Sequence, residues 1–147
     1  MNKVLGYIAK GKEEGATLVL GGNRVDRKGY FIEPTIFTGV EDHMTIAKEE
    51  IFGPVMSVLK FSDTDEVIRR ANDTQYGLTA SVFTSSMSTA QKVATGVKAG
   101  FMNVNTYFAI GACVPFGGMK QSGTGRELSD EGLKNFLEPK TVVYDFN

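Results

Sequence analysis

The sequence predicts an α/β protein in which a mostly parallel sheet is flanked by helices. Two observations carry this expectation. Between residues 54 and 104, extended apolar segments alternate with helix-like ones, the order that βαβ crossovers impose. A length of 147 residues with 41% apolar content is enough to bury one core and fits one compact unit.

The elements follow in chain order. VLGYIAKGKEEG places Val4, Leu5, Ile8 and Ala9 at helical spacing and stops at Gly15, a residue suited to the position just past a helix end. TLVL reads as a strand. GYFIEPTIF reads as a second extended stretch, whose Pro34 argues for a sheet edge or a bulge rather than a sheet centre. PVMSVLKF is the next strand, and SDTDEVIRRAN the next helix, with Ser62 able to cap it and Asp63, Asp65 and Glu66 near its positive end. LTASVFT, STAQKVATGVKAG and FMNVN repeat strand, helix and strand, the helix closing near Gly100. A long glycine-rich segment with little periodicity then runs to Glu127, and LSDEGLKNFL resumes a helical pattern. The tail TVVYDF alternates β-branched and aromatic residues, so it needs a sheet edge, its own or a partner's.

Charge and composition exclude several functions. Sixteen basic residues against seventeen acidic ones leave a net charge of -1, with no basic footprint for nucleic acid or an anionic membrane. No apolar run approaches the roughly 18 residues of a membrane span, and MNKVLGYIAKGKEEG is too charged for a signal peptide. The single cysteine, Cys113, makes no internal disulfide, which fits a reducing compartment, with the cytoplasm as the default.

The segment VPFGGMKQSGTGRE, residues 114–127, invites a test as a phosphate cradle. Gly118 and Gly123 have the spacing of a Walker loop, but Thr124 stands where its lysine belongs. The dinucleotide fingerprint also fails, because Gly123 and Gly125 are followed by Leu128 where the third glycine is required. Glycines that serve tight turns and close packing, with Lys120 and Arg126 solvated, are the plain alternative.

A second stretch, AKEEIFGPVMSVLKF, decides between these readings. Glu50, Ile51, Phe52, Gly53 and Pro54 form a Glu-x-Phe-Gly-Pro motif ahead of an apolar strand. Residues Pro115, Phe116, Gly117, Gly118, Met119, Lys120, Gln121, Ser122 and Gly123 form Pro-Phe-Gly-Gly-x-Lys-x-Ser-Gly farther on. In this order the two motifs resemble the aldehyde dehydrogenase superfamily, and GYFIEPTIF, RANDTQYGLTASVFT and GRELSDEGL extend the resemblance over essentially the whole chain. It implies the last third of such an enzyme: residues 1–137 as the C-terminal part of the catalytic domain, and residues 138–147 as an oligomerisation strand.

The resemblance also implies roles. Glu50 would hold the nicotinamide-side ribose of NAD, NADP being the alternative, since two carboxylate oxygens suit two vicinal hydroxyls. Phe52 would lie beside the nicotinamide ring, although read alone it is a core aromatic. Tyr107, Ile110, Val114 and Phe116 would line the aldehyde tunnel, with Phe108 adding apolar character. Glu127 matches a glutamate on a water path, where it would relay protons, or else it fixes the loop through an ion pair with Lys120 or Arg126. Asn105 reads as a buried asparagine that fixes loop carbonyls rather than as a catalytic group.

Family members form a thiohemiacetal on a cysteine, pass a hydride to NAD(P) and hydrolyse the resulting acyl-enzyme to a carboxylic acid. That cysteine, its general base and the nucleotide domain belong to motifs upstream of those matched here. Cys113 does not fit the cysteine's motif and lies far in sequence from the only histidine, His43, so it reads as a pocket-lining or packed thiol. The expectation is a segment inactive alone and catalytic when joined to the rest of an oligomeric enzyme, cytoplasmic or, with a transit peptide, in the mitochondrial matrix. The alternative is an inactive short product that associates with full-length subunits through TVVYDF. VNTY and KQSG look somewhat like aminoaldehyde- and betaine aldehyde-oxidising relatives.

Overall fold

The computed structural model describes residues 1–107 and 109–147. Where composition suggested one compact unit, the chain forms two, Met1–Asp63 and Thr64–Asn147. Its strands correspondingly make two sheets rather than one.

The first unit opens with α1, Asn2–Glu13, which turns Val4, Ile8 and Gly11 inward. Helical spacing puts these three on one stripe, as the sequence pattern requires. Gly15 follows the helix with φ +95, the left-handed conformation that lets the chain reverse. β1, Thr17–Leu20, pairs antiparallel with β2, Thr35–Thr38, and β2 pairs parallel with β3, Val55–Ser57. Together with α1 these strands enclose Val4, Ile8, Ala16, Phe37, Val40, Met44, Ile46 and Ile51.

The structure corrects the reading of Pro34. β2 is the central strand of its sheet, and its Phe37 is fully buried at 0% exposure. Pro34 escapes the conflict by standing one residue before the ladder begins, where its missing N–H costs no pairing. The irregularity falls instead on the partner strand, between Leu18 and Leu20. Just beyond, Gly21 at φ +69 approaches the Pro34 carbonyl so closely that a Cβ would strike it.

Between β2 and β3 lies α2, Thr45–Lys48, too short to stand on propensity alone. Glu14 holds its first residue: the Thr45 amide donates to Oε2 at 2.7 Å and the Thr45 hydroxyl to Oε1 at 2.6 Å. The hydroxyl's bond, more than any other cause, holds the Glu14 carboxyl below the usual carboxylate range, because it favours the ionised form.

The second unit begins with α3, Thr64–Asn72, followed by β4, Thr79–Val82, α4, Met87–Gly96, and β5, Phe101–Val104. β4 and β5 run parallel in continuous register from Thr79↔Phe101 to Val82↔Val104, with α4 as the crossover that parallel pairing demands. The Ser86 hydroxyl caps α4 by accepting from the Thr89 amide at 3.3 Å. α4 ends at Gly96 rather than near Gly100, and Val97 is already extended. α5, Ser129–Leu133, and a single 3-10 turn at Lys134–Phe136 replace the longer helix expected in LSDEGLKNFL.

Residues 138–147 form no regular element and are exposed throughout. Among the described residues the tail takes no sheet edge of its own chain, and Tyr144 and Phe146 stack on each other at 5.8 Å between ring centroids. No described helix is long and apolar enough to cross a membrane.

Candidate active site

Each unit presents one group of the residues singled out by sequence. In the first unit, Glu50 and Phe52 stand on the turn between α2 and β3. Three anchors shape that turn. Ile51 is buried in the core at 8% exposure. Gly53 lies so near α1 that a Cβ would meet the Val4 methyls at 2.7 and 2.8 Å. The Pro54 carbonyl accepts the Thr35 amide of β2 at 2.8 Å. With its neighbours pinned, Phe52 takes φ +55, a left-handed conformation that is rare for a bulky aromatic and costs about 1–3 kcal/mol.

Strain would normally be relieved by glycine or compensated by burial, and here it is neither. Phe52 is 85% exposed, so the ring that reads as core in isolation is displayed on the surface. Glu50 is exposed as well. Among the described residues its carboxylate makes no ion pair within 4.0 Å. An uncommitted carboxylate two residues from an outward aromatic face can accept hydrogen bonds from a diol, and the aromatic face can meet a flat ring.

The second group lies on residues 105–129 of the other unit. Phe116 and Glu127 face each other as an isolated antiparallel pair, exchanging N–H···O bonds of 2.8 and 2.7 Å. The half-buried Phe116 ring meets Phe101 of β5 edge-on, with centroids 6.0 Å apart. Ile110 is half-buried, while Tyr107 and Val114 are exposed. Phe108 lies outside the described residues.

Close packing explains Gly117 and Gly118, while Gly123 and Gly125 take positive φ. A Cβ on Gly100 would strike the Gly117 carbonyl, and one on Gly117 would sit 2.6 Å from the Gly125 carbonyl. The chain passes over itself where only glycine fits.

Several expectations change. Lys120 and Arg126 are not solvated cations: the Lys120 ammonium donates to the Asn72 and Thr74 carbonyls, both at 3.0 Å. The Arg126 guanidinium donates to the Gly118 and Gly125 carbonyls at 3.0 and 2.7 Å. Glu127 therefore makes no ion pair with either, and its exposed carboxylate is held through its backbone alone. Asn105 is exposed rather than buried, and it does fix backbone: its side chain accepts the Thr84 amide at 2.8 Å and donates to the Thr84 carbonyl at 3.0 Å. Cys113 is exposed, not packed. The carbonyl partners of Lys120 lie more than forty residues away, and no local pattern announces them. Among the described residues no cluster of three His, Cys, Asp or Glu side chains could hold a metal.

Residues 1–142 match the model of the aldehyde dehydrogenase family. The chain belongs to the aldehyde dehydrogenase family. It is 55% identical over 142 residues to the mitochondrial aldehyde dehydrogenase of Equus caballus, covering 97% of this chain and 28% of that protein. It is 53% identical to aldehyde dehydrogenase family 2 member B4 of Arabidopsis thaliana, covering 99% of this chain and 27% of that one. An NAD+ complex of an aldehyde dehydrogenase from Bacillus cereus superposes with a TM-score of 0.96 at 52% identity, over 99% of this chain and 30% of that one. The chain thus spans somewhat more than a quarter of the length of these relatives, which include mitochondrial and cytosolic proteins.

Proposed function

We propose that this segment is the C-terminal part of the catalytic machinery of an NAD-dependent aldehyde dehydrogenase, which oxidises an aldehyde to the carboxylic acid. One observation carries the reading: on the turn between α2 and β3, a strained and outward-facing Phe52 stands two residues from the uncommitted carboxylate of Glu50. Backbone strain of this kind clusters at active sites and ligand clamps. NAD is the cofactor this reading favours, with NADP the alternative, because the Bacillus cereus relative is an NAD+ complex.

NAD, when bound, supplies the acceptor for the hydride. Glu50 accepts hydrogen bonds from the two ribose hydroxyls, and the Phe52 ring offers an apolar face against which the nicotinamide is oriented. Tyr107, Ile110, Val114 and Phe116 supply the apolar wall that faces the aldehyde. Glu127, an exposed carboxylate placed by its backbone pairing with Phe116, is the group that would take and pass on a proton. The attacking cysteine comes from sequence outside these residues, and Cys113 does not replace it.

The exposed tail supports association in the same reading, for the exposed apolar side chains of Val142, Val143, Tyr144 and Phe146 are available to a subunit partner. An inactive module that docks through this tail is the competing reading. The cytoplasm, or the mitochondrial matrix as the alternative, is the compartment this reading allows, since relatives occur in both.

Phe52→Gly and Glu50→Gln in the complete polypeptide test the proposal. Glycine relieves the positive φ, so Phe52→Gly should leave the melting temperature unchanged or raised while the KM for NAD climbs. Loss of the charged acceptor in Glu50→Gln should weaken NAD about tenfold. Residues 1–147 alone should form no NADH. Turnover by that segment that survives Cys113→Ala would overturn the reading.

A further inference from the structure

We propose that Lys120 is a positioning residue: its ammonium clips the 116–127 loop to the C-terminal end of α3 and so sets the place of Phe116 and Glu127. The inference rests on the aldehyde dehydrogenase reading for what the loop is positioned to do, and on geometry alone for the clip itself.

The end of α3 leaves carbonyls without helical partners and carries the negative end of the helix dipole. Asn72 is the last residue of α3, and its carbonyl, with that of Thr74, accepts from the Lys120 ammonium at 3.0 Å each. A cation there is favoured twice, by two hydrogen bonds and by the dipole. The same Asn72 is itself immobilised: its side-chain amide donates to the Gly96 carbonyl at 2.8 Å and accepts the Lys98 amide at 2.7 Å. Lys120 therefore grips a fixed point where the ends of α3 and α4 are tied together.

The backbone around Lys120 reinforces the grip. The Met119 amide donates to the Gly77 carbonyl at 2.8 Å, the Gln121 amide to the Gln75 carbonyl at 2.9 Å, and the Gly77 amide to the Ser122 hydroxyl at 2.9 Å. Reaching all of these at once puts Lys120 at φ +56, a conformation that glycine would adopt more readily. The side chain that occupies this position is the one that can cross to Asn72. From the clip, Gly117 and Gly118 lead directly back to Phe116, whose backbone holds Glu127. The Arg126 guanidinium closes the return arm on Gly118, so a displacement at Lys120 is passed to both residues rather than absorbed between them.

Lys120 is exposed, so its loss opens no cavity and returns two carbonyls to water. The test is amide exchange and steady-state kinetics on the complete polypeptide carrying Lys120→Met or Lys120→Arg. In Lys120→Met the Phe116 and Glu127 amides should exchange about tenfold faster, the effect of losing two solvent-exposed charge-assisted hydrogen bonds, with β1, β2 and β3 unchanged. The KM for aldehyde should rise several-fold with that for NAD constant, and Lys120→Arg should restore both because a guanidinium also reaches two carbonyls. Unchanged exchange at Phe116 and Glu127, or acceleration spread evenly over both units, overturns the clip. Faster exchange at those amides with an unchanged aldehyde KM overturns the positioning role. A wild-type polypeptide that forms no NADH defeats the enzymatic reading, while exchange at the two amides still decides the clip.

Discussion

The two units handle their apolar residues differently. Met1–Asp63 seals eight hydrophobic residues into a core, whereas in Thr64–Asn147 the buried hydrophobics among the described residues are Ala90 and Val93, with Phe83, Met87, Tyr107, Phe136, Val143 and Phe146 largely exposed. A two-stranded sheet such as β4–β5 has too little surface to bury such residues by itself. The first unit closes a core of its own, although Tyr30, Phe52, Met56 and Phe61 stay exposed on it. The second closes a much smaller one and leaves most of its large apolar side chains exposed.

The largest break in that comparison comes from truncating one phenylalanine in each unit. Phe37→Ala empties a fully buried site and should cost about 3–5 kcal/mol, read by urea denaturation or amide exchange in β2. Phe136→Ala, at 87% exposure, should change stability by no more than about 0.5 kcal/mol in residues 1–147 alone. A clearly larger cost for Phe136→Ala in the complete polypeptide would show that another surface covers it there.

Glycine substitutions sharpen the contrast at a smaller scale. Gly53→Ala presses a Cβ against the Val4 methyls at 2.7 and 2.8 Å, which a small shift of α1 can relieve, while Gly100→Ala drives one into the Gly117 carbonyl, which only a backbone displacement can relieve. Overpacking costs about 1–3 kcal/mol, and Gly100→Ala should lie at the upper end and Gly53→Ala at the lower. The Gly100→Ala penalty should appear as faster amide exchange at Met119 and Gln121, since their bonds to Gly77 and Gln75 hold the displaced loop.

The sequence was most legible where structure is local. α1 showed in the spacing of Val4 and Ile8, and the β4–α4–β5 crossover in the change from strand-like to helical periodicity. β2 was misjudged because the burial of Phe37 is decided by β1 and β3 flanking it, while Pro34 needs only a one-residue offset to be harmless. The two site segments were found by resemblance, but not their conformations. Whether Phe52 is core or surface depends on three anchors from α1, β2 and the core, and Lys120 looked like a solvated cation because its carbonyl partners are distant in sequence. The division into two units was likewise hidden, since composition counts apolar residues without saying which strands they share.

The smallest predicted effect separates the units by the chemistry of their caps. Glu14 caps α2 with a carboxylate, and Ser86 caps α4 with a hydroxyl that does not titrate in the accessible range. The bond from the Thr45 hydroxyl lowers the Glu14 carboxyl in the folded state, so the unfolded chain binds its proton more readily than the folded one. The stabilisation is then fully present above the ordinary glutamate value of about 4.3 and is lost as the pH falls from there through the lower folded-state value. Between those two values the Thr45 amide should lose protection while the Thr89 amide keeps its own, once the intrinsic pH dependence of exchange is divided out. In Glu14→Gln the uncharged amide can still accept one bond, so the pH dependence at Thr45 should vanish without the helix melting. If Thr45 and Thr89 instead lose protection together, the acid sensitivity belongs to the whole chain and the difference between a carboxylate cap and a hydroxyl cap has no part in it.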